Sequence, residues 1–158
     1  MSGDLHPTDM LLATIDGNGS VLCREVGNTD NLYCQFNPVE DEGCDAPESA
    51  YLCFNKQDSN QIFIAVNCSI FIYQTEDVLS GYIKVQHKQV SQNIQRIEQQ
   101  GDVLVLMHSD SIACLRIVDD CLQVVGEYPI EGSPLSGLLL CESNLVIAKS
   151  DGALTMYH

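Results

Sequence analysis

Cysteines and histidines are the side chains of this sequence best suited to chemistry, because thiolates and imidazoles serve as nucleophiles, bases and metal ligands. The chain holds eight cysteines and four histidines. No two cysteines form a C-x-x-C pair, and no two histidines have metal-ligand spacing. His108 precedes Asp110 in a Ser/Asp-rich turn, where polar side chains usually hydrogen-bond the backbone. The sequence therefore predicts no catalytic residue, no metal site, no cofactor and no enzymatic activity.

Most of the cysteines lie inside short apolar runs, such as VLC at Cys23, YLCF at Cys53 and IACL at Cys114. A free cysteine in such a run behaves as a small buried hydrophobe. We therefore expect reduced core cysteines rather than a disulfide framework, which is typical of an intracellular protein. The first residues carry no basic region followed by an apolar run, and no apolar stretch reaches membrane-spanning length. A cytoplasmic location without membrane insertion is the expectation.

The net charge is strongly negative, at −15, from 7 basic and 22 acidic residues. A nucleic-acid or anionic-membrane partner needs a basic footprint, so direct nucleic-acid binding is not expected. Two interpretations of the charge remain open. It either keeps the protein soluble or forms an acidic surface for a basic protein partner.

Residues 37–49 (NPVEDEGCDAPES) interrupt the apolar pattern and contain two prolines. With almost nothing to bury, the segment is predicted to be an acidic exposed loop, mobile or disordered. Its carboxylates lack the ligand spacing of an EF-hand. They are the residues that we expect to contact a basic partner: Glu40, Asp41, Glu42, Asp45 and Glu48.

The remainder of the chain consists of short apolar runs separated by Asp, Asn, Gly and Ser turns, which predicts antiparallel strands. The clearest example is residues 101–128, where DVLVLM, IACLRIV and CLQVVGEY are separated by two turns. The glutamine-rich residues 87–100 are ambiguous, because Val90, Ile94 and Ile97 also have helical spacing. A strand around 94–97 is favoured over a short helix, since the surrounding pattern requires one there.

Four hairpins share one plan, an apolar strand followed by a short polar turn and a second strand: LLATI-DGNG-SVLCREV, IFIAV-NC-SIFIYQ, VLVLM-HSD-SIACLRI and LVIA-KSDG-ALTMYH. The later hairpins are about 40 residues apart, and the acidic segment accounts for the longer first interval. A period of roughly 40 to 45 residues with four strands per unit is typical of β-propeller blades. The predicted blade-like units are residues 10–36, 50–87, 94–128 and 135–157.

On these residues the chain resembles the WD-repeat-like β-propeller families over nearly its whole length, 1–158. The best matches are the Ser-Asp turns at 109–111 and 150–152, whereas the tryptophan of the usual Trp-Asp motif is absent. Its degenerate blades resemble N-terminal propellers of large scaffold proteins, namely vesicle coat and tethering subunits, nucleoporins and Rod-type kinetochore scaffolds. The resemblance implies a protein–protein interaction module in a multi-subunit complex, with nuclear or kinetochore association as an alternative location.

The fold class is therefore predicted to be all-β, a partial or incomplete β-propeller with about three and a half four-stranded antiparallel blades. The first unit is interpreted as opening at its second strand. The exposed strand edges are expected to be completed by further chain or another subunit. Two other hypotheses are a closed β-sandwich binding domain of similar length and a thiol-dependent enzyme on a β scaffold.

Overall fold

The computed structural model describes residues 2–8, 10–43, 46–118, 121–131, 135–141, 144–149 and 151–157. These residues form fifteen β-strands, one short α-helix and one 3₁₀ turn. The strands build four antiparallel sheets, each made from strands that are consecutive in the chain. Every sheet is thus assembled locally, as expected for a repeated meander.

Each of the first three sheets has four strands, and its strand order follows the sequence. Sheet 1 contains β1 (Ser2–Leu5), β2 (Leu11–Ile15), β3 (Val21–Glu25) and β4 (Asn28–Phe36). The helix α1 (Pro38–Glu42) follows, and sheet 2 contains β5 (Ala50–Phe54), β6 (Gln61–Val66), β7 (Ser69–Gln74) and β8 (Ile83–Gln89), with the 3₁₀ turn at Val78–Ser80. Sheet 3 contains β9 (Arg96–Gln100), β10 (Val103–Met107), β11 (Ser111–Val118) and β12 (Cys121–Pro129). Sheet 4 has three strands, β13 (Leu135–Cys141), β14 (Asn144–Lys149) and β15 (Leu154–Tyr157).

The sheets pack face to face in chain order, and the alternation of side chains along the central strands shows how. On β6, Ile62 and Ile64 lie in the core shared with sheet 1, whereas Phe63 lies in the core shared with sheet 3. On β10, Leu104 faces sheet 2 while Val105 lies in the core that includes Ile147 of sheet 4. Successive residues of a strand point to opposite faces, so a strand between two sheets must be apolar throughout.

Sheet 1 has a different pattern because only one of its faces is covered by another sheet. Leu11, Ala13 and Ile15 of β2 are buried against sheet 2, whereas Leu12 and Thr14 between them are only half-buried. The fourth strands of sheets 2 and 3 are the most exposed strands of their sheets. The arrangement is a stack of four blades in chain order.

The structure confirms the predicted fold class, an incomplete all-β propeller with three four-stranded blades and a three-stranded one. All four aligned hairpins are the second and third strands of their sheets. The closed β-sandwich hypothesis is wrong, because four sheets separated by three cores replace two facing sheets.

Three local predictions need correction or refinement. The chain opens with the first strand of a blade, not the second, because the polar segment SGDL pairs with β2 through Ser2–Leu5. The strand favoured around residues 94–97 is present but begins later, as β9, because Arg96–Gln100 pair with β10, and the start of the glutamine-rich segment belongs to β8. The acidic segment is not all loop, since α1 occupies residues 38–42 and buries Pro38 and Val39.

Candidate functional site

The candidate partner-binding carboxylates begin on α1, a helix that is well capped at both ends. The Asn37 side chain accepts hydrogen bonds from the backbone N–H groups of Val39, at 3.0 Å, and Glu40, at 3.4 Å. Pro38 occupies the first turn, where no intrahelical N–H is required. Gly43 ends the helix in the left-handed conformation, with φ of 62°. These residues explain why a short acidic segment folds here.

The helix contacts sheets 1 and 2 through the apolar side chain of Val39 and through the carboxylates of Asp41 and Glu42. Val39 is buried in the core between these sheets. The Tyr73 hydroxyl on β7 donates a hydrogen bond to Asp41 Oδ2 at 3.3 Å. Burial, aided by the Asp41 carboxylate, raises the pKa of Tyr73 above its usual value, so the phenol remains a donor at neutral pH. The position of α1 is therefore fixed by the protein interior.

Glu42 is engaged by the outer strand of sheet 2. Its carboxylate forms an ion pair with Lys84 Nζ, and its Oε2 lies 3.6 Å from His87 Nδ1. The imidazole of His87 stacks on Phe71 at 4.7 Å and its Nε2 lies 3.2 Å from Ser69 Oγ. Lys84 therefore offsets the charge of Glu42, which leaves this carboxylate less available to a partner than its neighbours on α1.

The predicted residues do not all converge on one surface. Glu40 and Asp41 are exposed on α1, whereas Glu48 lies beyond the helix, where its Oε2 accepts a hydrogen bond from Asn93 Nδ2 at 3.1 Å. Glu48 also lines a cleft of about 440 Å³ between the starts of β5 and β9. Asp45 lies outside the described residues. The structure thus brings Glu40, Asp41 and Glu42 together and separates Glu48 from them.

A second cleft, of about 340 Å³, opens between the first strands of sheets 1, 2 and 3. Its charged lining has two acidic and two basic side chains: Asp4, Glu98, Lys56 and Arg96. Arg96 Nη2 pairs with Glu98 Oε1 at 2.6 Å, so these two groups satisfy each other. No charge of one sign dominates the cleft, and it gives no indication of a particular small ligand.

The histidines at positions 6, 87 and 108 have structural partners. His108 is buried, and its Nδ1 lies 3.1 Å from the backbone carbonyl of Asn93 rather than against Asp110. His6 is also buried, with Nε2 2.7 Å from the Ser59 carbonyl and its ring edge-on to Phe54. Among the described residues, no group of three or more His, Cys, Asp or Glu side chains could hold a metal ion.

Six described cysteines are free thiols, at positions 23, 34, 53, 68, 114 and 121, and those at 23, 53 and 114 are buried. Burial raises the pKa of Cys53 and Cys114, and a hydrogen bond to Cys34 together with burial raises that of Cys23. A nucleophilic cysteine requires the opposite shift. These thiols do not support the thiol-dependent enzyme hypothesis.

Sequence reasoning missed the groups that fix the acidic helix: Tyr73, Lys84 and His87. Their strands were predicted, but their pairing with residues of the acidic segment depends on tertiary structure. The β7–β8 register places Tyr73 opposite Lys84, which a hairpin alignment could have suggested.

Comparisons with known proteins support the fold alone. No family model matches the sequence, and no curated protein matches it either. The structure is similar to the crystal structure of Sqt1 from Saccharomyces cerevisiae, a WD40 protein, with a TM-score of 0.76 and 12% identity over 99% of this chain and 43% of that one. It is also similar to the computationally designed Ika4 protein, with a TM-score of 0.70 and 12% identity over 99% of this chain and 89% of that one.

A third similar structure is the computationally designed Ika8 protein, with a TM-score of 0.69 and 13% identity over 99% of this chain and 45% of that one. The chain therefore spans less than half the length of Ika8 and Sqt1. These likenesses show that the protein has a propeller-like fold. Within the described residues, no helix is long and apolar enough to cross a membrane.

Proposed function

We propose that this chain is a non-enzymatic protein–protein interaction module within a multi-subunit intracellular scaffold. The fold supports the proposal, because propellers present loops and short helices on a rigid frame for partners to bind. The free thiols of the described residues are consistent with a reducing compartment such as the cytoplasm. The scaffold families named above remain part of this proposal, as does nuclear or kinetochore association.

The observation that carries the proposal is the display of two exposed carboxylates on an anchored helix. Glu40 and Asp41 project from α1, whose backbone is fixed by its caps and by buried Val39. A basic segment of a partner can pair with both carboxylates at little cost in conformational entropy, since the helix is already formed. Glu42, already paired with Lys84, would contribute less. Glu48 and Asp45 remain candidate contacts with a basic partner, although Glu48 lies apart from α1, beside Asn93, and Asp45 lies outside the described residues.

Charge reversal on α1 tests this surface. The Glu40→Lys variant and the wild type are used to capture partners from the native source under mild conditions, and recovery is quantified by mass spectrometry. The matched control is Glu127→Lys, which makes the same charge change on the exposed face of β12. We expect Glu40→Lys to reduce recovery of the partner at least tenfold and Glu127→Lys to leave it unchanged. Equal recovery with all three proteins would refute α1 as the binding surface.

Sheet 4, in which the structure describes three strands, suggests a second contact. In the described residues β15 pairs with β14 on one side only, and its Leu154 and Met156 are 73% and 56% exposed. An unpaired strand edge beside apolar side chains is a template for strand addition. We propose that further chain or another subunit supplies the fourth strand of this blade.

The oligomeric state of the isolated chain tests the open edge. We expect the wild type to self-associate in sedimentation experiments, and Met156→Lys to shift it toward the monomer, because a charge on an edge strand opposes pairing. If the wild type sediments as a monomer at all concentrations, self-association through the edge of β15 is excluded.

A further inference from the structure

Cys23 on β3 and Cys34 on β4 lie directly opposite each other in sheet 1. Directly opposed residues of antiparallel strands have Cα atoms about 4.5 to 5.5 Å apart, which lies within the roughly 4.4 to 6.8 Å that a disulfide spans. The register shifts immediately after Cys23, so that Arg24 is opposite Leu32. Such an irregularity gives the two strands local freedom to adjust the geometry of a new bond.

The two thiols differ in exposure and in acidity. Cys23 is fully buried in the core between sheets 1 and 2, whereas Cys34 is only half-buried. The closeness of the two sulfurs across the strands lowers the pKa of the Cys34 thiol, and the same interaction together with burial raises that of Cys23. The accessible thiol is thus also the one more readily deprotonated, a combination that favours attack on a disulfide.

We propose that Cys23 and Cys34 form a reversible thiol–disulfide site whose reaction partner is a small-molecule disulfide of the glutathione type. The Cys34 thiolate attacks one sulfur of oxidised glutathione, forms a mixed disulfide and releases one glutathione thiolate. Cys23 then loses its proton and attacks Cys34 Sγ, which releases the second glutathione. The protein loses two electrons and two protons, and one glutathione disulfide becomes two molecules of glutathione.

The other described cysteines lack this arrangement. Cys121 is exposed at the start of β12, where its partner across the strands is Val118. Cys68 lies in the turn before β7, with Gln89 Nε2 3.7 Å from its sulfur. Each of these thiols can form a mixed disulfide with glutathione. Neither has a directly opposed thiol that could displace the glutathione and form an intramolecular disulfide. They serve as internal controls for non-specific thiolation.

The wild-type protein, fully reduced, is incubated with oxidised glutathione, quenched by alkylation and digested for mass spectrometry. We expect a peptide cross-linked between Cys23 and Cys34, with two glutathione molecules released per bond formed. In the Cys23→Ser variant we expect one glutathione to remain on Cys34, because the resolving thiol is gone. In the Cys34→Ser variant we expect Cys23 to remain unmodified, since it is buried.

Far-UV circular dichroism checks that the Cys23→Ser and Cys34→Ser variants are folded. The cross-link expected in the wild-type protein is a separate test that uses neither variant. Glutathione found only on Cys68 and Cys121, with Cys23 and Cys34 still free to be alkylated in denaturant, would overturn the proposal. So would a Cys34→Ser variant that still forms an intramolecular disulfide through Cys23. A cross-link that dithiothreitol reverses, together with a higher melting temperature of the oxidised protein, would support it.

Discussion

Val39 of α1 packs directly over Gly19 in the turn between β2 and β3. A β-carbon at position 19 would lie 2.4 Å from Val39 Cγ2, and Gly19 has φ of +80°, which L side chains rarely adopt. Gly19→Ala therefore introduces both backbone strain and a collision in the core. We expect it to lower the free energy of unfolding by roughly 2 to 4 kcal/mol, measured by urea denaturation.

Two other glycines separate these effects. Gly27 has φ of +91° but open space around it. The loss in the free energy of unfolding of Gly27→Ala should therefore come from backbone strain alone. Gly17 has neither feature, and Gly17→Ala should change stability by less than about 0.5 kcal/mol. In the Gly19→Ala, Val39→Ala double variant the 2.4 Å contact with Val39 Cγ2 is removed, although the approaches to Val39 Cβ at 3.2 Å and Asn37 Oδ1 at 3.3 Å remain, so the two losses should be less than additive. If the changes in the free energy of unfolding are strictly additive, Val39 makes no steric contact with the side chain introduced at position 19.

A buried amide network connects sheet 2 to sheet 3 and leads to a second prediction. Gln99 Nε2 donates to Asn55 Oδ1 at 2.7 Å, and Gln99 Oε1 accepts from the Lys56 N–H at 2.8 Å. Gln99→Leu leaves these groups without Gln99 as a partner and should lower the free energy of unfolding by about 2 to 3 kcal/mol. The exposed neighbour provides the control, Gln100→Leu, which should be nearly neutral. Similar stability of both variants would mean that the network is not stabilising.

The spacing of the hairpins and the polar residues of their turns predicted the repeated units. This was possible because each hairpin is specified by residues that are close together in the sequence. The network of Gln99 was not predictable in the same way. Gln99 belongs to a polar, glutamine-rich segment, yet it is buried because Asn55, 44 residues earlier, supplies its partner. Composition indicates how polar a segment is, but it does not say which polar side chains meet across two sheets.

The acidic segment was mispredicted in part for a related reason. Its five carboxylates suggested full exposure, whereas the caps Asn37 and Gly43 and the buried residues Pro38 and Val39 hold a docked helix there. The capping residues were visible in the sequence as a local helix signal. The contact of Val39 with Gly19 is a tertiary one, made beside the core that sheets 1 and 2 share.

Tyr73 should make stability sensitive to alkaline pH. Its pKa is raised in the folded protein by burial and by Asp41, so the native state holds the phenol proton more tightly than the unfolded chain does. This contribution is complete below the unfolded pKa of about 10 and is lost as the pH rises above it toward the folded pKa, by up to about 1.4 kcal/mol per pH unit.

Tyr73→Phe has no proton to lose, so its free energy of unfolding should fall less steeply above pH 10 than that of the wild type. The measurement is urea denaturation across the alkaline range, with Tyr33→Phe as the comparison for removal of a phenol on a neighbouring sheet. Equal slopes for wild type and Tyr73→Phe would contradict the effect of burial on Tyr73. At neutral pH the variant should lose only the Asp41 hydrogen bond, about 1 kcal/mol.

The first strand, which the apolar pattern did not reveal, is joined to sheet 2 by a side chain. Asp4 Oδ2 accepts a hydrogen bond from the backbone N–H of Phe54 at 3.0 Å, which links β1 to β5. Since the acceptor is a carboxylate and Phe54 is buried, Asp4→Ala should lower the free energy of unfolding by about 1 to 3 kcal/mol. Asp4→Asn retains an acceptor oxygen and should recover part of this loss.

Amide hydrogen exchange locates the effect of the same change. The Phe54 N–H should exchange faster in Asp4→Ala than in the wild type, and β1 should lose protection before β10 does, because β10 lies between two covered faces. The exposed Asp30 provides the control, Asp30→Ala, which should leave both rates unchanged. Unaltered exchange at Phe54 in Asp4→Ala would show that the strand is held by its ladder to β2 alone.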